Sequence, residues 1–133
     1  MIDKPKIITM CGSSRFVDFM AVCAWLLEKH EQVITMGLHL LPRWYTNAED
    51  HLGEAEGVAE QFDALHLKKI EMSDQIFVVN VGGYIGDSTT REIEHAQNRG
   101  FATEDIRWFI TDYIGTQCSK ALNDWVLRNS RDP

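Results

Sequence analysis

The sequence lacks several features that would assign it to a functional class directly. It has only 3 cysteines in 133 residues, and Cys11, Cys23 and Cys118 share no metal-ligand spacing. We therefore expect reduced thiols that pack inside the fold, not disulfides or a zinc site. No apolar run approaches the length of a membrane span, and the first residues do not resemble a signal peptide. The sequence predicts a soluble, cytoplasmic protein with no membrane partner.

Positive charge is also scarce. The chain has 13 lysines and arginines against 20 aspartates and glutamates, for a formal net charge of -7. Surfaces that hold duplex nucleic acid need a clustered basic face, so a duplex is not an expected partner, whereas a small anionic ligand is compatible with this charge. The chain has no internal repeat or low-complexity tract, and its length suits one domain, so we assign residues 1–133 to a single domain.

What the sequence does contain is an alternation of strand-like and helix-like segments. Strands are predicted at residues 6–11, 33–36, 75–79 and 106–110, and helices at 15–30, 54–72, 89–99 and 118–129. This order predicts an α/β fold with a doubly wound, mainly parallel sheet of about four to five strands and helices on both faces, of the flavodoxin or Rossmann type. In such sheets ligands bind at the carboxyl ends of the strands, so we expect the turns at 12–15 and 80–89 to form one site.

The first of these turns has the residue types of an anion site. Gly12 permits close backbone approach, Ser13 and Ser14 supply hydroxyl groups, and Arg15 supplies a guanidinium group. Equally, a serine could cap the following helix while Arg15 is a solvated charge. The spacing matches neither the phosphate loop of nucleoside triphosphatases nor the dinucleotide fingerprint, which disfavours ATP hydrolysis and NAD chemistry.

The second turn leads into a predicted helix with a glutamate near its start. The segment GGYIGDSTTREIEHA at 82–96 follows an apolar strand and places Glu92 in the expected first helical turn. Thr89 and Glu92 have the spacing of a capping box, in which each side chain bonds to the other's backbone N–H. Alternatively, the helix dipole holds Glu92 ionised, and an ionised carboxylate can attack an anomeric carbon. The spacing alone fits both interpretations.

Three segments together resemble a known family. Residues 10–15 (MCGSSR), Asp74 with the strand 76–79, and residues 88–96 (STTREIEHA) are similar in order and spacing to motifs of the nucleoside 2-deoxyribosyltransferase superfamily. That superfamily includes the 2'-deoxynucleoside 5'-monophosphate N-hydrolases. The resemblance extends over roughly residues 6–100.

The resemblance implies a reaction at the N-glycosidic bond of a small-molecule nucleoside or nucleotide. Glu92 would be the nucleophile that forms a glycosyl-enzyme intermediate. The implied substrate-binding residues are Gly12, Ser13, Ser14, Arg15, Asn80, Gly82, Asp87, Ser88 and Thr89. The family also implies a homodimer or larger homo-oligomer and requires no cofactor. We expect no metal either, because the histidines and acidic residues of the irregular segment 37–54 lack ligand spacing.

The sequence departs from the family pattern at informative positions. His66 stands where the N-hydrolases carry an aspartate, and Asp63 lies one turn earlier. His66 could protonate the leaving base, or it could be a buried, hydrogen-bonded histidine beside Phe62. Glu94 replaces a glycine of the last motif. These departures leave open a second function, a non-catalytic module that binds a nucleotide or an ADP-ribose-like ligand.

Overall fold

The computed structural model describes residues 4–13, 16–37, 39, 45 and 56–112. The described strands are β1 (Ile7–Cys11), β2 (Ile34–Met36), β3 (Gln75–Val81) and β4 (Ile106–Thr111). The described helices are α1 (Val17–Glu31), α2 (Ala59–Glu71) and α3 (Asp87–Asn98), with a short 3-10 turn at Thr103–Asp105. None of these helices has the length and apolar character to cross a membrane.

The strands form one sheet in the order β2-β1-β3-β4, and every neighbouring pair is parallel. The chain moves from β1 to β2 on one side and then crosses to β3 on the other side of β1. This arrangement confirms the doubly wound parallel α/β fold that the sequence predicts. The strand order reverses between β1 and β3, so the carboxyl ends of these two strands flank the position where such folds bind ligands.

The two faces of the sheet bury different clusters, because successive side chains of a strand point to opposite faces. On one face, α1 packs on a cluster that includes Ile8, Met10, Met20, Cys23, Leu27, Phe77, Val79 and Phe109. On the other face, α2 and α3 supply Ile70 and Ala96 to a cluster with Cys11, Ile76 and Val78. Cys11 is therefore the last residue of β1 and faces the two helices that precede and follow β3.

Several strands and helices begin or end at other residues than the sequence predicts. β3 continues beyond the predicted residue 79 because Asn80 and Val81 still pair with β4. Helix α2 begins at Ala59, later than predicted, and α3 begins at Asp87, earlier than predicted. The predicted final helix at 118–129, most of the predicted loop at 37–54, and Cys118 lie outside the described residues.

Candidate active site

The turn after β1 depends on a glycine. Gly12 has φ of +156°, and a Cβ atom there would lie 3.2 Å from the carbonyl oxygen of Val79 and 3.3 Å from Sδ of Met20. Gly12 thus lets the end of β1 lie close against β3 and α1. The carbonyl of Ser13 accepts a hydrogen bond from the Phe16 N–H at 3.0 Å, which closes the turn into α1. Ser14 and Arg15 lie outside the described residues.

The turn after β3 is a tight reversal built on two glycines. Gly82 and Gly83 have φ of 65° and 81°, and the Tyr84 N–H donates to the Val81 carbonyl at 3.2 Å. The Gly82 N–H donates to the Thr111 carbonyl at 2.7 Å, so the Gly82 amide is bonded within the sheet and is not a free donor for a ligand. The Tyr84 ring contacts Phe16 edge to face at 6.4 Å between centroids. Phe16 directly follows the first turn, so this contact brings the start of α1 against the second turn; that the two turns form one site stays a prediction.

The start of α3 corrects the capping interpretation of Glu92. The helix begins at Asp87 after Gly86, which makes no side-chain capping bond, so Thr89 is the third helical residue and Glu92 lies in the second turn. A capping box between Thr89 and Glu92 is therefore wrong, and so is the expectation that Glu92 is in the first turn. Since the field of a helix terminus falls off within that first turn, the dipole contributes little at Glu92. Its environment has to be explained by tertiary contacts.

Glu92 meets two other side chains between the helices and the sheet. Its Oε1 lies 3.3 Å from Nε2 of His66 on α2, and the same nitrogen lies 3.8 Å from Sγ of Cys11 at the end of β1. The side chains of His66 and Glu92 are 5% and 10% exposed, and Cys11 is fully buried. The contact of Oε1 with Nε2 lacks hydrogen-bond alignment, and Oε1 has no hydrogen-bond partner among the described residues.

The cluster is not a thiol triad. Burial raises the pKa of the Cys11 thiol well above its usual range, and the nearby Glu92 carboxylate raises it further. A neutral, buried thiol is a poor nucleophile. In a triad the base uses one ring nitrogen for the nucleophile and the other for the carboxylate, whereas here Nε2 of His66 faces both Cys11 and Glu92. The carboxylate of Glu92 is the better candidate for chemistry.

Glu92 also borders an open recess at the surface. The recess holds about 210 Å³ of space, open solvent included, and is lined by Asp63, Leu67, Ser88, Arg91 and Glu92. The Arg91 guanidinium donates to Oγ of Ser88 at 3.1 Å and lies 3.8 Å from a carboxylate oxygen of Asp63. A carboxylate, a hydroxyl and a guanidinium thus surround the approach to Glu92. Arg91, which departs from the family pattern, and Asp63 were not among the sequence-predicted site residues.

Asn80 adds a second unsatisfied polar atom near the end of β3. Its Oδ1 is buried and has no hydrogen-bond partner among the described residues. Asn80 follows Val78 by two residues and therefore points to the same face of the sheet as Val78 and its register partner Cys11. Buried polar atoms are normally hydrogen-bonded, so each exception requires an explanation such as a ligand or water.

The other sequence-predicted site residues have plainer surroundings. Thr89 is 2% exposed and lies inside the fold, whereas Asp87 and Ser88 are exposed at the start of α3. Phe62, the neighbour suggested for His66, is 39% exposed, and its ring contacts the His39 ring. Asp74, part of the resemblance, accepts a hydrogen bond from the Ile7 N–H at 2.9 Å at the opposite end of the strands. Its role here is to fix the start of β1.

Comparisons with family models, with curated proteins and with solved structures found no match. The family resemblance therefore stays an expectation drawn from motifs. A function for the chain has to be argued from the site itself.

Proposed function

We propose that the protein cleaves or transfers at the N-glycosidic bond of a nucleoside, deoxynucleoside or nucleoside 5'-monophosphate, with Glu92 as nucleophile. The observation that carries the proposal is the carboxylate oxygen of Glu92 that is buried, lacks a hydrogen-bond partner and borders an open recess. It belongs to a helix that follows β3, next to the point where strand order reverses. A buried polar atom without a partner requires an explanation, and a role in catalysis is one that fits a carboxylate beside an open recess.

In the proposed reaction a carboxylate oxygen of Glu92 forms a bond to the anomeric carbon of the sugar. The bond from that carbon to the base nitrogen breaks, and its electron pair leaves with the base, which takes up a proton. Water then attacks the glycosyl ester and releases the sugar, or a second base attacks and completes a transfer. An oxygen without a competing hydrogen bond keeps its lone pairs for the attack.

His66 is better suited to position Glu92 than to protonate the base. In retaining glycosidases the nucleophile and the acid are roughly 5–5.5 Å apart, because the sugar and its leaving group lie between them. Nε2 of His66 is only 3.3 Å from Oε1 of Glu92, and its other contact is the buried Cys11. We infer that His66 restricts the orientation of the carboxylate. The proton for the leaving base then comes from solvent or from a group in the recess.

The recess suggests how the sugar part is held. Ser88 and Arg91 offer a hydroxyl and a guanidinium on the first two turns of α3, and a guanidinium suits a 5'-phosphate. The recess is open to solvent and is lined by only five of the described residues, so a nucleotide would extend beyond them.

One observation favours the second candidate function, binding without turnover. The Glu92 side chain is only 10% exposed, and a nucleophile has to reach the sugar. If the carboxylate stays enclosed beside His66, the recess binds a nucleotide or an ADP-ribose-like ligand through Ser88 and Arg91 alone. The chemistry of base release separates the two candidates.

The deciding experiment incubates the protein with a panel of nucleosides, deoxynucleosides and their 5'-monophosphates and measures free base by chromatography. Parallel calorimetry measures binding of each compound. Release of base from at least one compound is the expected result. Binding without release favours the second candidate, and neither binding nor release contradicts both.

A further inference from the structure

The three side chains around Glu92 have the chemistry of a metal site. Cys11, His66 and Glu92 each offer one ligand atom, a sulfur, a nitrogen and an oxygen, and these atoms all lie within 4.8 Å of one another. They come from three different elements, β1, α2 and α3. Among the residues that the structure describes, this is the one such group. The sequence gives little sign of it, because 54 residues separate Cys11 from His66.

We propose that Cys11, His66 and Glu92 bind a thiophilic divalent cation, with Zn²⁺ as the best match. Zinc is bound by thiolate, imidazole and carboxylate at about 2.3, 2.0–2.1 and 2.0–2.2 Å, which puts tetrahedral ligand atoms about 3.3–3.6 Å apart. The nitrogen and oxygen are already 3.3 Å apart, and the sulfur and nitrogen are 3.8 Å apart. Rotation of the Glu92 carboxylate toward Cys11 closes the remaining gap.

The unsatisfied oxygen of Glu92 is independent support for a ligand at this position. Its side chain is nine-tenths buried, and Oε1 faces Nε2 of His66 without a hydrogen bond. A cation between the two atoms would satisfy the oxygen. The recess that Glu92 borders gives the ion a path from solvent.

The donor set also selects the class of metal. Mg²⁺ and Ca²⁺ prefer oxygen ligands alone, whereas a sulfur and an imidazole nitrogen favour zinc and its neighbours in the transition series. The protein supplies three ligands, so a fourth position is left for water. On binding, the Cys11 thiol becomes a thiolate and its proton passes to solvent.

This site goes beyond the proposed function and bears on it. A cation held by Oε1 occupies the oxygen that is proposed to attack the sugar, so bound Zn²⁺ should block base release. That consequence rests on the proposed function, but binding itself does not. Measuring the metal without nucleotide keeps the two proposals separate.

The test is a titration of the reduced, chelator-treated full chain with Co²⁺, which reports thiolate ligation by a sulfur-to-cobalt charge-transfer band. We expect the band to saturate at a single ion per chain, to disappear on addition of Zn²⁺ and to be unaffected by Mg²⁺. Cys11→Ser should abolish the band, and Glu92→Gln should weaken cobalt binding by more than the roughly 10–100-fold that loss of an outer-shell partner causes.

Another cysteine variant is the matched control. Cys23 is equally buried but packs on the opposite face of the sheet, so Cys23→Ser should keep the band. If Cys11→Ser does not fold, Glu92→Gln and His66→Ala provide the same test through the cobalt affinity. Absence of a charge-transfer band in the wild type, its persistence in Cys11→Ser, or unchanged affinity in Glu92→Gln would overturn the proposal.

Discussion

Glu31 and Glu92 are two buried glutamates on opposite faces of one sheet, and each is 7% exposed. The carboxylate of Glu31, at the end of α1, accepts two hydrogen bonds from Arg107 of β4, both at 2.7 Å. Among the described residues, Glu92 has one close ionisable partner that could carry the opposite charge, His66, and its Oε1 has no hydrogen-bond partner. The two glutamates are therefore equally buried, but Glu31 is fully hydrogen-bonded to a partner and Glu92 is not.

The difference separates a structural carboxylate from a candidate functional one. A bidentate pair with a guanidinium satisfies both oxygens of Glu31 and ties the helix to the sheet. An unsatisfied buried oxygen costs stability and is retained where something else uses it. Variants of the two glutamates should then affect different properties of the protein, and that expectation can be tested.

The largest effect is expected from Glu92→Gln. The amide keeps the size of the side chain but cannot act as an anionic nucleophile, so base release should fall by at least about 10³-fold while nucleotide binding persists. The free energy of unfolding should stay within about 1 kcal/mol of wild type or rise, because an unsatisfied buried charge is removed. Base release measured by chromatography and unfolding measured in urea test the two parts.

Glu94→Gln is the matched control on the same helix. Glu94 is exposed, and the substitution replaces a glutamate by glutamine just as Glu92→Gln does. It should leave both base release and stability near wild type. Base release by Glu92→Gln at the wild-type rate would mean that Glu92 is not the nucleophile. The difference between Glu92 and Glu31 would then have no catalytic meaning.

Glu31→Gln should have the opposite signature. Breaking a buried ion pair from one side leaves the partner charge without its counter-ion and costs about 3–5 kcal/mol. We expect urea unfolding to show a loss of that size, with base release unchanged at temperatures where the variant is folded. Replacing both partners, Glu31→Met with Arg107→Met, should recover much of the loss, since apolar pairs of similar volume are often tolerated. A Glu31→Gln variant as stable as wild type would contradict the structural interpretation.

A smaller effect on rate is expected at His66. If His66 orients the nucleophile, His66→Ala should lower kcat by up to about 10²-fold with little change in KM, the size of effect that a displaced reacting group produces. His66→Gln should restore much of the rate, because its side-chain amide can occupy nearly the same position as Nε2 and restrict the carboxylate in the same way. Replacement of the exposed Leu65 by alanine is the control on α2. A lowered stability with unchanged kcat in both His66 variants would make His66 a core residue only.

The fold could be predicted because its signals are local. Apolar runs, helix-length segments and glycine-rich turns mark each element along the chain, and alternation of strands and helices implies a parallel sheet. The ends of the strands and helices are harder to predict than their order. Strand β3, for example, continues past the predicted end because Asn80 and Val81 pair with β4. The start of α3 was misplaced because Thr89 and Glu92 have capping-box spacing, while Gly86 precedes the helix.

The candidate site could be predicted only in part. The sequence predicts Glu92 and His66 as site residues, and it predicts that the two turns form one site. It did not predict that Cys11 joins them, because that contact depends on the register of β1 against β3 and on which face α2 covers. The pairing of Glu31 with Arg107 joins residues that are 76 positions apart, and no local pattern indicates it. Which side chains pair between different strands and helices depends on the tertiary structure, and local sequence patterns do not reveal it.

The smallest expected effect concerns Glu71, a half-buried glutamate that completes the comparison. Its carboxylate lies 2.9 Å from Nε2 of His95, and this hydrogen bond, more than the nearby Lys68, holds the pKa of Glu71 below its ordinary value. A carboxylate with a lowered folded-state pKa adds stability above its unfolded pKa and loses that contribution as the pH falls through the folded value. Because the pair is solvent-screened, the change in Tm should be too small to resolve.

A carbon-detected NMR titration of Glu71 measures the effect directly. The midpoint in the wild type should lie below that of an ordinary glutamate, His95→Asn should raise it, and Lys68→Gln should raise it less. An ordinary midpoint in the wild type, or one that His95→Asn does not move, would contradict the assignment. Glu71 is paired but less buried than Glu31, so a shifted midpoint with unchanged Tm would show that pairing alone does not stabilise this fold. The large loss expected for Glu31→Gln would then be due to burial of the pair, and the buried Oε1 of Glu92, which has no hydrogen bond among the described residues, would be the feature that requires a functional explanation.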